Sequence, residues 1–214
     1  MSYNAFIFDC DGTILDTLPD LVALTNGVLR ELGYPEHTAS EIKSYVGGGA
    51  ARLIEQATPE SATAEQNAAA LKRWRESYPE YGIRLTRPYE GIPEVLQALK
   101  AEGVRLAVLS NKFDAATKDV CERFFPDIFG IVHGESEDIP RKPNPRGLLR
   151  TIDELGATKE TAIYVGDSSV DAQVAQNAGC LSVCVSWGYN PVEELLAAGA
   201  AKIISSPDEL LTLL

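Results

Sequence analysis

Ala5-Phe6-Ile7-Phe8-Asp9-Cys10-Asp11-Gly12-Thr13 is the stretch that decides the fold of this chain. Four consecutive apolar residues run into two aspartates one residue apart, followed by a glycine. A short continuous apolar run describes a strand buried on both faces, as in parallel sheets. Gly12 permits an abrupt turn that lifts the following backbone away from the strand end. Carboxylates at the carboxyl end of such a strand stand where open α/β sheets bind their ligands. Charge at that place costs hydration and adds little stability. Taken alone, an Asp-x-Asp pair is equally compatible with an acidic surface loop, so the rest of the chain has to decide.

Three further segments do so. Val108-Leu109-Ser110-Asn111-Lys112 is another apolar strand ending in polar groups, and Arg141-Lys142-Pro143-Asn144-Pro145 places a lysine just before a helix start. Ile163-Tyr164-Val165-Gly166-Asp167-Ser168-Ser169-Val170-Asp171 is a third apolar strand, ending in a glycine and two more aspartates. Acid pair, hydroxyl, lysine and acid pair thus follow in order, three of the four at strand ends. These motifs resemble those of the haloacid-dehalogenase-like hydrolase superfamily. Asp9 and Asp11 match its first motif, Ser110 its second, Lys142 its third, and Asp167 with Asp171 its fourth. The resemblance runs from residue 5 to the last strands. Asp11-Gly12-Thr13 is similar to the phosphatases of the superfamily; its mutases more often carry valine at the threonine position, and its dehalogenases lack the second aspartate.

The chain divides into two patterns. Leu18, Leu21, Thr25, Val28 and Leu32 fall on one helical face, and Gly33-Tyr34-Pro35 ends that helix. A short helix is expected from about residue 40 to 45 with Ser40 as its N-cap, another from about 49 to 57, and a longer one carrying Leu71, Trp74, Tyr78 and Tyr81. No strand pattern occurs between Thr17 and about Thr86. From Pro88 onward strand and helix alternate. Strands are expected at 104–109, 128–133, 161–165 and 181–186, and Lys202-Ile203-Ile204 with residues 207–214 form a last strand and helix. Such alternation predicts an α/β fold, a doubly wound, mainly parallel, Rossmann-like sheet. The expected organisation is a core of residues 1–16 and 87–214 with a helical insert of residues 17–86. The resemblance implies that this small α-helical insert is a mobile cap domain over the site.

Composition is that of a globular protein, 45% hydrophobic and 23% charged. No apolar run approaches a membrane span, and the N-terminus lacks a basic, apolar signal sequence, so a cytoplasmic location is expected. The net charge of −12 argues against nucleic acid as a partner, because backbone-phosphate binding relies on clustered lysine and arginine. It leaves room for a small phosphorylated metabolite, since a bound divalent cation and local lysines reverse the potential inside a cleft. Cys10, Cys121, Cys180 and Cys184 form no CxxC pair or zinc spacing and read as free thiols, with Cys10 packed away from the two acids that flank it. His37 and His133 have no second histidine at ligand spacing.

The chemistry follows residue by residue. Asp9 is the candidate nucleophile, because a carboxylate attacking phosphorus splits one hard displacement into two easier ones. Asp11 is the candidate general acid and then general base. Ser110 offers a hydroxyl and Asn111 a backbone N–H to the transferring phosphoryl oxygens, and Lys142 a compact positive charge. Arg141 and Lys112 read as peripheral neighbours. Mg²⁺ prefers hard oxygen ligands in octahedral geometry. Asp9, Asp167 and the main-chain carbonyl of Asp11 suit it, while Asp171, one helical turn beyond Asp167, either joins the metal or orients Lys142. Thr13 holds Asp11 or the loop, or caps local backbone, and is a candidate substrate contact. Gly47-Gly48-Gly49 is no nucleotide loop, because no GK[ST] follows and no strand precedes. The resemblance makes it a cap loop reaching over the site, with Gly48 as a candidate substrate contact. Arg52, about one turn later, either meets an anionic substrate tail or lies on a solvated helix face.

The Val46-Gly47-Gly48-Gly49 loop, the small helical insert and Trp187-Gly188-Tyr189-Asn190 resemble the phosphoglycolate phosphatase branch, which hydrolyses 2-phosphoglycolate to glycolate and phosphate. The alternatives are a pyrophosphatase or sugar-phosphate phosphatase, a hexose-phosphate mutase using the same Asp9, and a non-catalytic phosphate-binding scaffold. A scaffold predicts that one of the four motifs is missing, and none is. Oligomeric state is not legible in the sequence.

Overall fold

The computed structural model describes residues 3–214; the first two residues of the expected core segment lie outside them. The chain opens with β1 (Ala5–Phe8) and β2 (Leu15–Asp16), then four helices, α1 (Leu18–Glu31), α2 (Ala39–Tyr45), α3 (Ala50–Ala57) and α4 (Ala64–Tyr81). It returns through β3 (Arg87–Pro88) and alternates as α5 (Ile92–Ala101), β4 (Arg105–Phe113), α6 (Asp114–Phe124), β5 (Ile131–Glu135) and α7 (Arg146–Glu154). It ends as β6 (Ala162–Gly166), α8 (Ser169–Ala178), β7 (Leu181–Val185), α9 (Val192–Ala197), β8 (Lys202–Ile204) and a 3₁₀ helix, Pro207–Leu213.

Six strands form one sheet in the order β5-β4-β1-β6-β7-β8, every neighbouring pair parallel. Strand β1 is central: Phe6 is in register with Leu106 on one side and Ile163 on the other. The side chains of β1 alternate between two cores. Phe6 and Phe8 pack with Val95 and Leu96 of α5, Val120 of α6 and Leu210. Ala5 and Ile7 pack with Leu148 and Ile152 of α7 and Val174 and Ala175 of α8. Helices therefore cover both faces, which is why β1 has no polar residue: Ala5 to Phe8 are fully buried. Burying each phenylalanine contributes about 1.5–3 kcal/mol. The doubly wound parallel sheet expected from the alternation is the observed architecture.

Helices α1–α4 bury a core of their own, with Leu21, Leu24 and Val28 of α1 against Ile42, Leu53, Ile54, Trp74 and Tyr78. The Trp74 indole donates to Thr25 Oγ1 at 3.1 Å, which satisfies the polar atom this core buries on α1. Leu32 and Tyr81, placed on apolar stripes by the sequence, are both 39% exposed because each stands at or beyond its helix end. Ser40 is not the cap of α2. Thr38 is, because its hydroxyl accepts from the Glu41 N–H while the Glu41 carboxylate accepts from the Thr38 N–H, a reciprocal capping box.

Two short strands escaped the sequence pattern. β2 and β3 pair antiparallel, Leu15 with Pro88 and Asp16 with Arg87, where the chain leaves and re-enters the sheet unit. Just beyond, the buried Asp20 carboxylate accepts from the N–H groups of Leu85 and Thr86 and from the Thr86 hydroxyl, at 2.6–2.9 Å. Both crossings between sheet and helical unit are thus tied together. β4 is longer than expected and carries Ser110, Asn111 and Lys112 within the strand; β5 begins later, at Ile131; and α9 was not foreseen. Among the described residues no helix is long and apolar enough to cross a membrane.

Candidate active site

The sheet reverses direction of growth at β1, with β4 and β5 on one side and β6, β7 and β8 on the other. Asp9 leaves β1 and Asp167 leaves β6, so the two acids flank that switch point, where the loops diverge and leave a crevice. β4 delivers Ser110, Asn111 and Lys112, the loop before α7 delivers Lys142, and the first turn of α8 delivers Asp171.

Asp9, Asp167 and Asp171 each place a carboxylate oxygen within 4.8 Å of the others, and all three are buried. Asp167 is fixed from two sides: Oδ1 accepts from the Thr13 hydroxyl at 2.8 Å and Oδ2 from the Tyr189 N–H at 2.7 Å. Gly12 makes the approach possible. It holds φ at +81°, and a Cβ there would lie 2.3 Å from Asp167 Oδ2. Asp171 Oδ2 accepts from the Asp167 and Ser168 N–H groups and the Ser168 hydroxyl, and Oδ1 accepts from Lys142 Nζ at 2.7 Å. Its carboxylate is already fully engaged. Asp171 thus holds Lys142 and the Asp167 backbone while also standing within the acid cluster.

Lys142 Nζ also donates to the Tyr164 hydroxyl at 2.9 Å and lies 2.9 Å from Asp9 Oδ1. The Asp9 contact is an ion pair, and Asp9 Oδ1 is buried with no other partner among the described residues. Burial raises the Asp9 pKa, Lys142 pulls it down and Asp171 pushes it up again, leaving it at about 6. Burial, then the charges of Asp171 and Asp9, hold the Asp167 carboxyl well above the ordinary range. Burial disfavours the charged form of Lys142, but Asp171 and Asp9 outweigh it, so its pKa lies above that of a free lysine.

Asp11 faces away from this cluster. Both its oxygens meet Lys112 Nζ, at 3.0 and 3.2 Å. A metal role for Asp11 therefore rests on its main-chain carbonyl, and its side chain is not among the clustered acids. Lys112, read from sequence as peripheral, is buried at 6% exposure and lines the central cavity. The signal was present in the strand period: once β4 continues past Leu109, residues 110 and 112 share a face. Four carboxylates, Asp9, Asp11, Asp167 and Asp171, stand against two ammonium groups. One divalent cation would cancel the two formal negative charges left over. An all-oxygen donor set of three buried carboxylates fits a hard cation of the Mg²⁺ type.

The cavity lies between the strand ends and the helical unit. Asp9, Asp11, Ser110 and Lys112 form its floor, and Leu21, Val46, Leu53 and Trp74 its roof. Gly47 and Gly49 line it, and Gly48 does not. Gly49 holds φ at +83°, and a Cβ there would come within 2.9 Å of the Asn111 carbonyl.

Three of the expected substrate contacts, Thr13, Gly48 and Arg52, do not line this cavity. Thr13 is fully buried and its hydroxyl is committed to Asp167. Gly48 packs under the Arg52 side chain, whose Cδ would be 2.3 Å from a Cβ at Gly48, and Arg52 itself lies exposed on the solvent face. The Asn111 amide donates to the Gly47 and Lys142 carbonyls, at 2.9 and 3.2 Å, and accepts from the Lys142 N–H at 2.7 Å. Its side chain is a joint between glycine loop and lysine loop, which leaves only its main chain for a ligand. Tyr189 and Asn190 line the cavity and were not singled out as site residues. Arg141 pairs with Glu135 at 2.6 Å. His37 meets the Ala57 carbonyl and His133 meets Glu154, and neither lines the cavity. Cys10, Cys121 and Cys184 are buried free thiols, and Cys180 is half-buried.

Comparison with known proteins agrees with this arrangement. Residues 6–185 match the haloacid dehalogenase-like hydrolase family. A phosphoglycolate phosphatase of Aquifex aeolicus is 32% identical over 187 residues, covering 87% of this chain and 86% of the relative. An N-acetylmuramic acid 6-phosphate phosphatase of Pseudomonas aeruginosa is 29% identical over 216 residues, covering 100% and 96%. A crystal structure from Lactobacillus delbrueckii subsp. bulgaricus, assigned provisionally to the phosphoglycolate phosphatases, superposes with a TM-score of 0.92 at 31% identity over 98% of this chain and 97% of that one. With the acid pair of β1, the hydroxyl of β4, the lysine and the acids after β6 gathered at one crevice, the chain belongs to the haloacid dehalogenase-like hydrolase family, in its phosphoglycolate phosphatase-like branch.

Proposed function

We propose that this chain is a Mg²⁺-dependent phosphatase that hydrolyses a small phosphomonoester through a phosphorylated Asp9, with 2-phosphoglycolate as its substrate. The observation that carries the proposal is the Asp9 carboxylate. It is buried, open to the cavity, without a hydrogen bond on Oδ1, and balanced by Lys142 at 2.9 Å. A carboxylate oxygen that accepts no hydrogen bond retains its lone pairs for attack.

Asp9 attacks phosphorus, the bond from phosphorus to the ester oxygen breaks, and Asp11 gives its proton to the departing alkoxide. Asp11 then takes a proton from water as that water attacks the phosphorus on Asp9, and inorganic phosphate leaves with the Asp9 carboxylate restored. Lys142 and the Ser110 hydroxyl face the charge that gathers on the phosphoryl oxygens. Asp9, Asp167 and the Asp11 carbonyl would hold the metal, whose chemistry is to screen the mutual repulsion of substrate and carboxylates.

Residues 17–86 act as the cap. They roof the cavity and exclude water, and the β2–β3 ribbon is the place where they would hinge. The phosphoglycolate phosphatases among the relatives support a two-carbon acid as the substrate.

Phosphate release from 2-phosphoglycolate, pyrophosphate, N-acetylmuramic acid 6-phosphate and glucose phosphates, with and without Mg²⁺, tests the proposal. Asp9→Asn should lose at least ~10³-fold in rate. Turnover within tenfold of the parent would remove the covalent mechanism, and transfer of the phosphoryl group to a second sugar phosphate would make the chain a mutase.

A further inference from the structure

Two buried ammonium groups stand at the site, Lys142 and Lys112, and the chemistry above uses only the first. Lys142 already faces Asp9, Asp171 and Tyr164. Lys112 lines the cavity, and among the described residues its one ion-pair partner is Asp11, met by a fork to both oxygens. An ammonium group forked onto a single carboxylate has donor capacity left. The Tyr78 ring lies 4.9 Å from Nζ.

The wall of the cavity formed by the glycine loop is also electropositive. Gly49 and Ala50, at the start of α3, line it. The first turn of α3 has no side-chain cap and no acidic residue. Its unpaired N–H groups carry partial positive charge. Leu21, Leu53 and Trp74 make the remaining wall apolar, which suits a short ligand with little polar surface to spare.

We propose that Lys112 is a specificity-determining residue that binds a carboxylate on the substrate, with the start of α3 as the supporting wall. This rests on the phosphatase reading above and deepens it by naming the residue that selects for a phosphorylated short hydroxy acid. The ester oxygen has to meet Asp11 for protonation, and Lys112 stands 3.0 Å from Asp11. A carboxylate that reaches Lys112 must therefore lie within a few bonds of the ester oxygen, as it does in a phosphorylated two-carbon acid.

The experiment compares 2-phosphoglycolate with 2-hydroxyethyl phosphate, in which a neutral alcohol replaces the carboxylate. The Mg²⁺-loaded parent should favour the acid in kcat/KM by at least about 30-fold, the low end of what removing one partner of a buried charge pair costs. Lys112→Met should collapse that ratio to within about threefold, chiefly by raising KM for the acid, and Lys112→Arg should keep most of it. A second measurement needs no variant: glycolate should inhibit hydrolysis of an aryl phosphate by the parent far more strongly than ethylene glycol does. If Lys112→Met slows both substrates alike and the ratio stands, Lys112 serves Asp11 alone and the inference falls. Equal efficiency on the two substrates, or equal inhibition by the two small molecules, in a parent that hydrolyses both esters also overturns it, while leaving the phosphatase reading intact. A parent inactive on every phosphomonoester would instead overturn the reading beneath it.

Discussion

Without a divalent cation, the folded chain should lose stability as pH rises from about 4 to about 6, and Asp9 is the group that reports it. Burial lifts its carboxyl from the ordinary 3.8 to about 6, with Lys142 opposing and Asp171 adding to the rise. Between those two values the folded state holds a proton that the unfolded chain has released. The folded state therefore binds more protons, and stability falls as pH rises through that window. At about 1.4 kcal/mol per pH unit the full effect is ~3 kcal/mol, or about 6–12 °C in Tm for a chain of this size. The net charge of −12 also opposes folding more strongly as carboxylates ionise, so the useful quantity is the difference between the parent and Asp9→Asn, whose amide does not titrate. Melting curves in a chelator from about pH 4 to about pH 8 should show the variant gaining ~3 kcal/mol on the parent across the window. Mg²⁺ added at neutral pH should recover most of that loss in the parent and little in the variant, which lacks the proposed Asp9 ligand. Parallel pH curves for the two proteins would refute the reasoning, as would a gap that moves the other way.

Asp11→Asn should slow both formation and hydrolysis of the phosphoenzyme by ~10²–10⁴-fold; rapid-quench measurement showing either step at the parental rate would split the two roles. Thr13→Val removes the hydroxyl that holds Asp167. It should raise the Mg²⁺ requirement by about 10–100-fold with KM for substrate nearly unchanged, whereas a substrate contact would show the reverse in a two-way titration. Gly188→Ala would place a Cβ 2.2 Å from Asp167 Cβ and 2.6 Å from the Gly12 carbonyl. It should cost about 1–3 kcal/mol by denaturant melt together with most of the activity, and a fully active, equally stable variant would show that the loop after β7 is free to retreat.

The four motifs, their order and the class of fold were legible in the sequence because each depends on local rules. A short apolar run specifies a covered strand, a glycine the turn beyond it, and polar residues at strand ends a crevice at the same edge of the sheet. Residues 9, 110, 142 and 167 could thus be placed from spacing and resemblance. The helical character of residues 18–81 was legible for the same reason, since its stripes repeat at the helical period. What the sequence left open were matters of orientation. Thr13 and Asn111 carry groups suited to a ligand, and only the folded chain showed that Thr13 is spent on Asp167 and Asn111 on the loops of Gly47 and Lys142. Lys112 looked like one more solvated lysine until β4 ran on through it and set it beside Asp11, a partner 101 positions away. The same is true of the β2–β3 ribbon, two residues on each side, too short for any period to register and stabilised only when the chain ends of the helical unit meet. A residue's chemistry is fixed by its side chain, but a donor or a charge acts on whichever partner comes within about 3 Å of it, and in this chain those partners are supplied by the packing of distant segments.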